Sequence, residues 1–203
     1  MGKSDVQAVT ISDEVAADPN GISESAQVAN NAALTIGGAL HSGNTITFIS
    51  GRKIVITSGG DDSGISFTIV GTDVNGAALT ESLTGANAGD ATSTNFFKTI
   101  ASITAVGDPA GTVVAGSTGS AADVVFEGPT RLKGFSIVSG GTAGIIEYRD
   151  ASPAGTVRFK SRTIGTDNTT IDRTIPEEGV FFPEGMYVTY TIGTIDMMTF
   201  FHA

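Results

Sequence analysis

Apolar and hydroxyl-bearing residues alternate along most of this chain, with glycine-rich interruptions between the alternating runs, and that pattern restricts the fold more than any other feature. Ile65, Phe67 and Ile69 fall on one side of a strand, opposite Ser66, Thr68 and Val70. Successive side chains of an extended backbone point to opposite faces, so such a run is a half-buried strand. Ile46 and Phe48 among Thr45, Thr47 and Ile49, and Ile54 and Ile56 among Val55 and Thr57, repeat the pattern. So do Val157 and Phe159 opposite Arg158 and Lys160, and Met186, Val188 and Tyr190 opposite Tyr187 and Thr189.

The interruptions are turn chemistry. Gly59-Gly60-Asp61-Asp62-Ser63-Gly64, Gly140-Gly141-Thr142-Ala143-Gly144 and Ser152-Pro153-Ala154-Gly155 each stop a strand. Asp73-Val74-Asn75-Gly76 separates 65–71 from 77–84, and Asn-Gly predicts a tight primed turn closing a hairpin. Strands recur about every 8 to 15 residues, without amphipathic helical stretches between them. That spacing predicts an all-β fold of sandwich or barrel type.

Three segments follow from this reading. Residues 1–33 carry Asp5, Asp13, Glu14, Asp18 and Glu24 among small polar residues and are expected to form an extended N-terminal arm, with Val9 and Ile11 able to begin a strand. Residues 34–118 are expected to form one small β-sandwich containing the hairpin, and 119–203 a second, jelly-roll-like sandwich. Gly116 to Ala122 is small and polar and reads as the linker between them. Met197, Met198, Phe200 and Phe201 put large apolar groups on both faces of the last strand, which implies cover on both sides, from the chain itself or from a partner.

With no cysteine, disulfides, thiolate metal sites and thiol nucleophiles are excluded. The net charge of −10 and the scatter of only 11 Lys and Arg argue against binding a nucleic-acid backbone. The N-terminal residues do not form a secretion signal, and no run approaches the roughly 20 apolar residues of a membrane helix. A soluble protein with neither nucleic-acid nor membrane partner is expected.

Nothing in the pattern points to catalysis, a cofactor or a metal. His41 and His202 are each isolated and read as surface or interface residues. Asp61-Asp62, and Asp73 with Asn75 and Gly76, resemble fragments of calcium loops, but the remaining oxygen ligands are absent and turn capping explains them. Glu177 and Glu178 between Pro176 and Pro183, and Glu184 directly after, read as a solvated acidic turn. A carbohydrate site would need aromatic platforms, yet Trp is absent and Tyr148, Tyr187 and Tyr190 are the only tyrosines. Arg131, Lys133, Arg149, Arg158, Lys160, Arg162 and Arg173 gather most basic residues in the second half, either as attraction for a neighbouring subunit or as protection of strand edges.

The block from Ile54 through Gly59-Gly60-Asp61-Asp62-Ser63-Gly64-Ile65-Ser66-Phe67-Thr68 to Gly71-Thr72-Asp73 is similar to a module of structural proteins of tailed bacteriophages. Its continuation resembles the same module: Asn75-Gly76, then Thr80 to Gly89 with Thr84-Gly85-Ala86-Asn87, then Phe96 to Ile100. Gly59 stands where the module usually has Ala. The likeness covers about residues 34–118, and the second half resembles small β modules of the same proteins more loosely.

The resemblance implies a non-enzymatic virion component, assembled in the host cytoplasm. A capsid decoration (cement) protein on the outer surface of the head is expected, acting as a homo-oligomer, a trimer by preference, on the major capsid protein. A tail or fibre-adaptor protein, and a host-glycan-binding module, are the alternatives.

Overall fold

The computed structural model describes residues 5–12 and 15–203. Over them the protein is all-β, built from antiparallel strands without a helix. Contacts divide it into two compact units, a terminal unit of residues 1–16 and 120–203 and a middle unit of residues 17–119.

The middle unit contains β2 (Ser23–Gln27), β3 (His41–Ser42), β4 (Thr45–Ser58), β5 (Ser66–Thr72), β6 (Ala78–Thr84), β7 (Asp90–Thr92), β8 (Phe97–Val106) and the first half of β9 (Thr112–Glu127). Here β4, β8, β5 and β6 follow one another in a single sheet, β2 pairs with β9, and β3 and β7 pair with β4. The alternation anticipated from sequence is kept: Ile46, Phe48, Ile54, Ile56, Phe67 and Ile69 are buried, and Phe97, Ile100 and Ile103 meet them from β8. Each fully buried side chain of this size contributes about 1.5–3 kcal/mol relative to exposure.

The predicted hairpin forms in register, with Phe67 opposite Leu83 and Ile69 opposite Glu81. Its turn is not the primed turn expected. Gly76 adopts φ +81° while Asn75 stays at negative φ. Asp73 Oδ1 accepts the N–H groups of Asn75 and Ala77, both at 2.9 Å, and Asp73 N donates to Ala77 O. The loop is therefore Val74–Asn75–Gly76, three residues closed by one left-handed glycine, in the next most common hairpin class.

The terminal unit contains β1 (Gln7–Ile11), the second half of β9, β10 (Thr130–Ser139), β11 (Ile145–Asp150), β12 (Val157–Arg162), β13 (Thr170–Thr174), β14 (Val180–Phe182), β15 (Gly185–Thr191) and β16 (Ile195–His202). One layer runs β1-β16-β10-β13, with β14 also on β10. The other runs β12-β11-β15-β9. The layers pack face to face through aromatics: the Tyr148 ring lies 5.8 Å from Phe135 and 5.6 Å from Phe200, the latter edge-on at 87°. Leu132, Ile137, Ile146, Val188 and Met198 fill the rest of this core.

Residues of the expected arm are used within the chain. β1 pairs along β16 from Gln7–His202 to Ile11–Met198, and Ile11 joins the terminal core. β2 pairs with β9, and Ile22 is fully buried in the middle core. Of the acidic residues assigned to the arm, Asp13 and Glu14 lie outside the described residues.

The stretch 116–122 is strand rather than linker. A Cβ on Gly116 would stand 2.1 Å from the Pro19 backbone, and Ser117 N donates to Asp18 O at 2.8 Å. Its small residues serve close approach of two backbones, and Ala121 and Ala122 are fully buried. The division between the units nevertheless falls inside this stretch, after Gly119.

Candidate functional site: braced loops and an open sheet edge

The carboxylates of the segment 54–100 are engaged in holding its loops. Asp61 Oδ1 accepts from Ser63 N and Oγ at 3.2 and 2.7 Å, and Asp61 Oδ2 accepts from Asn87 Nδ2 at 3.1 Å. The two Ser63 bonds, the hydroxyl's foremost, hold the Asp61 carboxyl below the usual carboxylate range. Asp62 is fully buried, and its Oδ1 accepts from Ala110 N at 2.7 Å. Glu81 accepts from the backbone N–H groups of Thr94 and Asn95 and from Asn95 Nδ2. Asp73 holds the hairpin turn as described. Each carboxylate thus stabilises backbone donors that would otherwise lack a strand partner.

No group of three or more His, Cys, Asp or Glu converges as a metal site among the described residues. His41 is exposed, and its Nδ1 is 2.6 Å from Gly38 O. His202, expected at a surface or an interface, is instead buried within the chain, with Nδ1 3.1 Å from Thr130 Oγ1 and its ring against Phe126 at 4.9 Å. Burial lowers its pKa. The reason is register: Leu132 lies opposite His202, so both point into the terminal core. All three tyrosines are buried as well. Burial pushes the Tyr148 hydroxyl up despite its 2.9 Å contact with Ser161 Oγ.

The basic residues of the second half divide into three sets. Arg149, Arg158 and Lys160 are ion-paired on the β11–β12 hairpin. Arg149 and Lys160 both reach Glu147, the Lys160 contact at 2.6 Å. Lys160 leads Arg149 in lowering the Glu147 pKa, against the opposing effect of burial. Asp150 accepts from Arg158 at 2.7 Å and from Glu184 N at 3.0 Å. Burial raises the Asp150 pKa, but Arg158 and the Glu184 N–H together hold it below the usual range. Arg131 and Lys133 belong to the outer face of β10 and reach toward Glu177 and Glu178.

Arg162 and Arg173 carry no ion pair among the described residues, and they stand beside an opening the sequence did not reveal. β12 is the last strand of one layer and β13 of the other. Between these edges lies a cleft of about 470 Å³, walled by Phe159, Ile171 and Ile175 and rimmed by Lys160, Arg162 and Arg173. Sequence showed the cations on β12 and β13; only the pairing of the strands shows that they share one opening.

The outer face of the β1-β16-β10-β13 layer is also incompletely covered. Met198 and Phe200 are fully buried, whereas Met197 and Phe201, alternating with them, are about two-fifths exposed. Phe181 on β14 is exposed too and lies under the Arg131 guanidinium at 4.8 Å. Among the described residues, the face of β16 that carries Met197 and Phe201 is covered only in part.

The chain matches no protein-family model and no curated protein sequence.

Proposed function

We propose that this chain is a structural subunit of a tailed-bacteriophage particle, and specifically a decoration protein that strengthens the head through repeated subunit contacts. The observation that carries the reading is the fate of the phage-like block. Asp61, Asp62, Asp73 and Glu81 are all spent on bracing loops at the strand ends. A block that commits its carboxylates to its own turns is suited to lasting contact rather than to turnover.

The exposed Phe181, Met197 and Phe201 support the same reading. Large apolar side chains on the outer face of one layer are characteristic of surfaces covered in an assembly. Symmetric repetition of one such patch across a lattice adds many weak contacts into substantial shell strength. A homo-oligomer seated on the major capsid protein is the arrangement this favours.

The location is tested by immunogold labelling of purified particles with an antibody to this chain. Gold distributed over the head surface supports decoration. Gold confined to the tail or its tip replaces decoration by the tail or fibre-adaptor role, and gold absent from intact particles removes the virion assignment.

A further inference from the structure

We propose that the cleft between β12 and β13 is a strand-accepting site for an extended peptide segment of another chain, one whose residues alternate between acidic and aliphatic. The inference is independent of where in a particle the protein resides.

The edge of β12 is ready for pairing. Thr163 N donates to Gly144 O, and Ile145–Arg162, Ile146–Ser161, Glu147–Lys160 and Tyr148–Phe159 are opposite one another. In an antiparallel ladder the bonded pairs alternate, so Ser161 and Phe159 spend their backbone groups on β11. Lys160 and Arg162 therefore direct their N–H and C=O outward, where, among the described residues, no further strand is hydrogen-bonded to β12. A peptide lying there would gain main-chain hydrogen bonds, the usual source of affinity in strand addition.

The two faces of that added strand meet different chemistry. Phe159 and Ser161 face the interior, as their contacts with Tyr148 show. Across the opening, Ile171 lies opposite the buried Ile137 and so also faces inward. Inward side chains of the guest thus meet Phe159, Ile171 and Ile175, and aliphatic groups suit them. Outward side chains stand beside Lys160 and Arg162, where directly opposed unlike charges stabilise and like charges repel. Arg173 faces the opening from the other lip. Cations on an open edge deter indiscriminate pairing, and they select for a guest that carries carboxylates. The net charge of −10 opposes an acidic guest only weakly at close range, because salt screens charges beyond about 8 Å. A saccharide is a poorer fit: the tyrosines are buried, and Phe159 is already engaged edge-on by Tyr148 at 5.1 Å.

The test uses the full chain and a fluorescent synthetic peptide of alternating glutamate and valine, read by anisotropy and by amide NMR shifts along β12. Controls are an alternating lysine–valine peptide, a peptide with the same glutamates and valines in separate blocks, and an oligouronate. Saturable binding of the glutamate–valine peptide alone is expected. It should weaken about tenfold or more in the Arg162→Glu, Arg173→Glu double variant, the size of at least one lost charge-assisted contact. That variant should instead take up the lysine–valine peptide, and its unchanged melting temperature would show that both exposed substitutions leave the fold intact. Absence of saturable binding, equal binding of the blocked or lysine peptide to the unaltered protein, insensitivity to the double substitution, or preferential capture of the oligouronate would each overturn the proposal.

Discussion

Asp62 and Ala110 lie in different loops of the middle unit and are joined by one hydrogen bond, Ala110 N to Asp62 Oδ1 at 2.7 Å, in which the carboxylate is fully buried and Ala110 stands at the surface. Replacing Asp62 by Ala removes a charge-assisted bond that ties the two loops together, so Asp62→Ala is expected to cost about 2 kcal/mol. Asp62→Asn retains an acceptor oxygen and should lose less. Chemical denaturation of the two variants side by side checks the order; equal losses would mean that the carboxylate oxygen is not what holds the loops.

Gly71 and Gly64 lie seven residues apart in the middle unit but answer to different constraints. A Cβ on Gly71 would stand 1.9 Å from Thr99 O, at the irregularity where β5 shifts register against β8. Nothing lies within 4 Å of a Cβ on Gly64, whose φ is not positive. Gly71→Ala should therefore destabilise by about 1–3 kcal/mol through overpacking, while Gly64→Ala stays within about 0.5 kcal/mol. Thermal melting of both variants makes the comparison.

Ile11 distinguishes a strand of the fold from a free arm. It is 9% exposed and packs in the terminal core from β1, opposite Met198. Ile11→Ala should cost about 2 kcal/mol or somewhat more. The unfolding midpoint of the isolated protein reads the effect without any assembly. No change there would return this segment to the role of an arm that acts only on a neighbour.

Stability should fall in two steps as pH is lowered. Burial depresses the folded pKa of His202 below its ordinary value of about 6.5. Between those two values the unfolded chain binds more protons, so His202 contributes stability above about pH 6.5 that is lost as pH falls toward the folded pKa. Glu147 and Asp150 are likewise depressed, and their contribution is present above about pH 4 and lost below it. His202→Leu should flatten the upper step alone, because Thr130 retains its second contact with Ala203 O. Denaturation midpoints between about pH 7.5 and 3 resolve the two.

Much of the strand content was legible because side-chain period and turn residues are local signals. Phe67 and Ile69 alternate with hydroxyls, and their burial follows at once. What depends on pairing partners was not legible. Asn75-Gly76 has the letters of a primed turn, yet the Asp73 carboxylate bonds two backbone N–H groups and selects a longer loop. Gly116 to Ala122 has the composition of a linker, but small side chains serve close backbone approach as well as flexibility. The buried His202 and the half-covered β16 are consequences of register with β10, and the cleft of Phe159 and Arg173 of two edges meeting; none has a signature in local sequence.

The central claim, a structural role repeated over a phage head, is tested most directly by the number of copies of this chain in purified particles, measured by quantitative mass spectrometry against the major capsid protein. A fixed ratio near that of the capsid lattice, hundreds of copies per particle, is the predicted result. A count matching a single tail ring, or no copies in intact particles, would contradict it.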